Sequence, residues 1–218
     1  MRRRRERGFT LIEALVVVAI IGIVVAVSIP SLRRSRMRAA MLDTVRVFEQ
    51  AAAVSRINAI KRGTNVCLLV LEGSGRRSLP ALPASSGTSF GFRAWFDANS
   101  NEVEDTGEEL VGAWQIRNTD EWSFEDSGDF PMYVLTSRLG GSGTARGIVY
   151  LPTGMALSRA AGQAGIGQGA FEYYIWQDSR KWNTFRISVF GGAGTVQVQM
   201  KVPGTSNWDD NFAHWEYY

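Results

Sequence analysis

The sequence predicts an α+β protein: a long N-terminal helix, one half transmembrane and the other amphipathic, packed on an antiparallel β-sheet globular head. Three observations predict it. From Phe9 to Ile29 the chain is apolar, with Glu13 its one ionisable side chain. Apolar residues then recur at helical spacing between Met37 and Ala52. Beyond Gly63 the texture changes to short apolar or aromatic runs separated by Gly, Ser, Asn and Pro, as in antiparallel sheets. The expected layout is residues 1–8 as a leader, 9–29 as a membrane helix, 30–63 as its amphipathic continuation and 64–218 as the head.

The 21 residues of the apolar run, rising ~1.5 Å each, span about 31 Å, the thickness of a bilayer core. Arg2, Arg3, Arg4, Arg5 and Arg7, opposed only by Glu6, keep the short flank cytoplasmic and send the head to the other side. Two plainer readings compete. One is an ordinary single-span anchor. The other is a secretory signal peptide cut near Ala26-Val27-Ser28, but its apolar region would be about 7–15 residues long and free of acid.

Glu13 is the anomaly. A carboxylate in hydrocarbon costs about 2.5–3.5 kcal/mol even on the insertion scale, so one that is kept usually has a partner charge. No Lys or Arg lies within the run. A free α-amino group would serve if the chain were cut just before Phe9, four residues away. Gly8, with no side chain to obstruct a protease, is the natural residue on the other side of that cut.

Gly8-Phe9-Thr10-Leu11-Ile12-Glu13-Ala14-Leu15, followed by an apolar helix and Pro30, resembles the class III leader of type IV prepilins and type II secretion pseudopilins. The resemblance implies a pilin-like fold, cleavage between Gly8 and Phe9 by a prepilin peptidase, and N-methylation of Phe9. It further implies that Glu13 neutralises the terminal amine of a neighbouring subunit during assembly. The implied partners are other pilins or pseudopilins, an inner-membrane assembly platform and membrane lipid. The implied location is the bacterial inner membrane, single-pass, with the head periplasmic or extracytoplasmic, and a filament after assembly.

Pro30 is expected to kink the helix rather than end it. Met37, Met41, Val45, Phe48 and Ala52 then form one apolar stripe where the head should pack, with Arg33, Arg34, Arg38, Arg46, Glu49 and Arg56 on the other faces. Arg33, Arg34, Arg36 and Arg38 read first as a solvated collar at the outer membrane surface. Gly63, after Lys61 and Arg62, is a helix stop.

The expected strands run over 65–71, 89–96, 109–116, 132–136, 147–151, 170–176, 184–190 and 195–202. Gly91 and Gly112 are candidate bulges, and Gly191 to Gly194 the loop of the last hairpin. Ala59-Ile60-Lys61-Arg62-Gly63 resembles a segment common in the GspH/FimT group of H-type pseudopilins and minor pilins. So do Phe96-Asp97-Ala98-Asn99 with the acidic residues that follow, and the turn Leu151-Pro152-Thr153-Gly154. This resemblance implies a type II secretion pseudopilin or, alternatively, a minor pilin of a type IV pilus serving assembly priming, adhesion or DNA uptake.

Asp97, Asn99, Asn101, Asp105 and Glu108 occupy positions 1, 3, 5, 9 and 12 of a twelve-residue loop, the EF-hand spacing, with the carbonyl of Val103 as a further Ca²⁺ ligand. Position 6 is Glu102 where that loop wants Gly, and the flanks read as strands. A solvated acidic hairpin loop is the competing reading. No cofactor is required by anything in the sequence, and Ca²⁺ is the one candidate.

Other functions find little support. The high overall pI of about 9.2 comes from the leader: without five of 24 basic residues and one of 21 acidic ones, 19 face 20, a side-chain charge of −1. Nucleic acid is therefore not an expected partner. His214 is the only histidine and Cys67 the only thiol, with no nucleophile, base and orienter around either, so an enzyme is not expected. Cys67 reads as a small buried hydrophobe. The aromatic tail from Trp208 to Tyr218 fits edge packing or a recognition surface.

Overall fold

A computed structural model describes residues 11–72, 79–82, 89–116, 122–126, 133–135, 145–160, 163–165, 168–177, 180–201 and 208–209. The fold is α+β, and the chain forms two compact units, residues 1–42 and 43–218. One helix, α1 (Leu11–Arg62), is followed by β1 (Asn65–Glu72), β2 (Ala81–Leu82), β3 (Ser89–Asp97), β4 (Leu110–Gln115), β5 (Trp122–Asp126), β6 (Tyr133–Leu135) and β7 (Ala145–Tyr150). After these come β8 (Ala156–Ala160), β9 (Gln163–Gly165), β10 (Gln168–Gln177), β11 (Arg180–Phe190), β12 (Thr195–Lys201) and β13 (Trp208–Asp209).

In the first unit, every side chain of α1 from Leu11 to Val25 is exposed. Helical backbone continues through Pro30. Among the described residues no helix is long and apolar enough to cross a membrane. The apolar stretch whose side chains are described, 11–25, rises only about 22 Å. Phe9, Thr10 and the side chains of 26–29, which complete the expected span, lie outside the described residues.

In the second unit, the stretch of α1 from Asp43 onward buries Val45, Phe48 and Ala52, as the stripe required, together with Ala51, Ser55 and Ala59. Phe48 meets Phe92 edge to face, with ring centroids 5.2 Å apart. The helix ends at Gly63, whose φ of +64° lets its N–H donate to Ala59 O at 3.0 Å.

Among the described residues, eight strands form the first sheet in the order β2-β3-β1-β7-β8-β9, with β4 also on β3 and β6 also on β7. All of its pairs are antiparallel. Six consecutive residues of β1, Val66 to Leu71, are buried, because the sheet is covered on both faces. Phe92, on one face, packs against α1; on the other, Cys67, Leu69, Trp95, Leu135, Ala145 and Val149 make a second core layer with Leu157.

The second sheet runs β13-β12-β11-β10-β5, again antiparallel. Phe124, Ala170, Tyr174, Phe185, Ile187, Val189 and Val198 are among its buried residues. Its register also aligns Glu125, Glu172, Arg186 and Gln199 across four strands. Arg186 donates to Glu172 at 3.1 Å and the Tyr174 hydroxyl to Glu125 at 2.9 Å. The two sheets meet where β8 contacts β10 and β11.

Two expectations need correction. No register shift falls at Gly91: a Cβ there would lie 1.9 Å from Trp114 O, so close backbone approach explains the glycine. The shift on β4 skips Val111, next to Gly112, and the Trp114 ring occupies the place of a Cβ on Gly112. The hairpin closed by 191–194 is followed by one more pairing, β12 with β13, so it is not the last.

Candidate functional site

Two groups of residues singled out in the sequence are far apart along the chain. Gly8 and Phe9 lie outside the described residues. Glu13 is in the first turn of α1, exposed and surrounded in sequence by exposed aliphatic side chains, including Leu11, Ile12, Leu15 and Val16. An acid near a helix N-terminus is favoured by the helix dipole.

The second group is the acidic loop between β3 and β4, and it folds around Asp97. Asp97 is fully buried; its Oδ1 accepts from Asn101 N and its Oδ2 from Glu102 N, both at 3.0 Å. Asn99 Oδ1 accepts from Asn101 N, and Asn101 Oδ1 from Val103 N. Glu108 bridges the loop, accepting from Ala98 N at 3.1 Å and Asp105 N at 2.9 Å. Ser100 and Glu102 take positive φ, 57° and 61°, so the sixth position makes the left-handed turn without a glycine.

All five side chains of the EF-hand spacing are thus gathered into one loop, but Asp97, Asn99, Asn101 and Glu108 are turned to backbone amides. The Asn99 and Asn101 amide groups each donate to Asp105 Oδ2 at 2.8 Å, presenting N–H where a cation needs oxygen. Among the described residues no three of the His, Cys, Asp and Glu side chains form a group that could hold a metal ion. As folded, the loop's oxygens are committed to protein N–H groups. Millimolar Ca²⁺ is expected to leave the thermal midpoint of the protein unchanged. A site with a dissociation constant near 10 μM would add about 2.7 kcal/mol at 1 mM, so an upward shift of several degrees would show that the loop rearranges into ligation.

Sequence reasoning missed how this loop is fastened. Glu104 reaches inward to Arg93 of β3, whose guanidinium NH2 donates to Glu104 Oε2 at 2.8 Å; the side chains are 0% and 9% exposed. Burial raises the Glu104 pKa, and Arg93 opposes that rise. Cys67 is buried, as expected, and its thiol donates to Asp97 Oδ2 at 3.7 Å. Burial first, then the negative charge of Asp97, pushes that thiol well up, so it is not a nucleophile at neutral pH.

At the mouth of the loop, Arg62, the last residue of α1, makes a two-pronged ion pair with Glu109, one contact being 2.8 Å. Its guanidinium also lies 4.1 Å from the centre of the Phe96 ring. The pair raises the Arg62 pKa and lowers that of Glu109. Both groups are well exposed, so solvent screens the attraction. A shallow cavity of about 270 Å³ lies here, lined by Arg62, Thr64, Phe96, Ala98, Glu108 and Glu109 among others.

Residues 3–29 match the family model described as the prokaryotic N-terminal methylation motif. The matched segment contains Gly8, Phe9 and Glu13 and runs to the end of the apolar stretch. The chain therefore carries a class III prepilin leader, the mark of substrates of prepilin peptidase that assemble with other pilins. The match supports a type IV pilin-like protein. No curated protein and no solved structure matches the chain.

Proposed function

We propose that this protein is a non-enzymatic filament subunit, a pseudopilin of a type II secretion system in the GspH/FimT group. The observation that carries the reading is the methylation motif at residues 3–29, which runs into α1 and includes Glu13 in the first turn of that helix. Prepilin peptidase cuts between Gly8 and Phe9, and Phe9 becomes the methylated N-terminus. The apolar run 9–29 holds the subunit in the inner membrane with the head, 64–218, outside the cytoplasm. During assembly Glu13 meets the terminal amine of a neighbour, so two costly charges in lipid neutralise each other. The head then decorates a filament that drives protein export.

The test is mass spectrometry of the protein recovered from membranes. A mature chain beginning with N-methylated Phe9 is expected; retention of Met1, or cleavage after Ser28, overturns the reading. Co-purification with a secretin-linked assembly platform supports the secretion assignment. Recovery with a pilus machine instead would make the protein a minor pilin of a type IV pilus.

A further inference from the structure

We propose that Arg56, held between two glycine turns, is a clasp that carries load from α1 to both sheets of the head when the helix is pulled along its axis. The turn 151–155 joins β7 to β8 in the first sheet, and 191–194 joins β11 to β12 in the second. Arg56 Nε donates to Gly154 O at 2.9 Å. A Cβ on Gly194 would stand 2.5 Å from that oxygen and 3.2 Å from Arg56 Nε, so the second turn closes directly over the bond. Ala156 N donates to Gly191 O at 2.8 Å and ties the turns to each other. Both glycines hold positive φ, +81° at Gly154 and +61° at Gly194, a conformation that side chains rarely adopt.

The remaining hold of the head on this stretch of helix includes the buried apolar stripe. Apolar burial depends on area and not direction, so it changes little over a small axial displacement. A hydrogen bond from a guanidinium does not tolerate such a displacement. Under axial load the bond at Arg56 therefore resists before the apolar stripe does, while the exposed Arg62–Glu109 pair is screened by solvent. The load itself rests on the filament reading, in which assembly draws the helix out of the membrane with the head attached.

The test is constant-force spectroscopy on the full chain in detergent micelles. Handles are attached at Arg36→Cys and Ala98→Cys, both exposed positions, while Cys67 stays buried. Arg56→Ala is expected to speed detachment of the helix about tenfold, the share of one charge-assisted hydrogen bond. Arg56→Gln places an amide nitrogen at the position of Nε and should stay within about threefold of wild type. An apolar control, Val45→Ala, matched to Arg56→Ala in thermal midpoint, should also stay within about threefold. Equal acceleration by Arg56→Ala and Val45→Ala, or by Arg56→Ala and Arg56→Gln, overturns the clasp. The measurement needs no filament, so its failure would leave the filament reading standing, and an unprocessed N-terminus would remove that reading without touching the clasp.

Discussion

Glu13→Ala is expected to leave the amount of protein in the membrane unchanged or raised, and to reduce its incorporation into filaments by about two orders of magnitude. The two effects have opposite origins. Removing a carboxylate from an apolar helix relieves an insertion cost of about 2.5–3.5 kcal/mol, so anchoring does not suffer. Assembly loses the acid that neutralises the neighbour's terminal amine. Breaking a buried ion pair from one side costs about 3–5 kcal/mol, because the other charge stays behind in low dielectric. Glu13→Gln separates charge from shape: it keeps a polar group of the same size and should fail almost as badly. The measurement is the ratio of sheared filament protein to membrane protein by immunoblot. Normal incorporation of either variant would remove Glu13 from assembly.

The elements legible in the sequence were those whose pattern is local. The run Val66-Cys67-Leu68-Leu69-Val70-Leu71 is too apolar for anything but a buried strand, and Gly63 after Lys61-Arg62 could only close a helix. The strands that escaped, β2, β5, β8, β9 and β13, have short or polar sequences: Ala-Leu, Trp-Ser-Phe-Glu-Asp, Ala-Leu-Ser-Arg-Ala, Gln-Ala-Gly and Trp-Asp. Pairing with a neighbour holds them, and pairing is a long-range property. The acidic loop shows the same divide. Spacing along the chain brought its five oxygen-bearing side chains together correctly. It could not show that Asp97 and Glu108 would point at amides, since that follows from the left-handed backbone at Ser100 and Glu102. Arg56 read as one more cation on a solvated helix face, yet it is half-buried and bonded to a turn 98 residues away. Nothing periodic marks such a contact.

Glu104→Ala is expected to cost the head about 3 kcal/mol at neutral pH, because it strips a fully buried guanidinium of the carboxylate that balances it. Glu104→Gln should cost much less, as the amide oxygen still accepts from Arg93 NH2. The two variants also differ in how stability depends on pH. Burial raises the folded-state pKa of Glu104 above its ordinary value of 4.5, the larger influence over Arg93, with Glu72 and Glu108 adding to the rise. A raised carboxyl pKa means that the folded chain holds this proton more tightly than the unfolded chain does. The stability it contributes is complete below pH 4.5 and is lost as pH climbs through the folded value. The Gln variant has no such proton. Subtracting its unfolding free energy from that of wild type, at each pH, cancels the titration of groups not coupled to Glu104 and leaves Glu104 with the smaller contributions of Glu72 and Glu108. That difference should fall from acid toward neutral pH and then level off, as read from urea midpoints at constant m. A difference that instead rises with pH would mean that attraction to Arg93 outweighs the loss of solvent around Glu104, and that the ionised pair stabilises the loop.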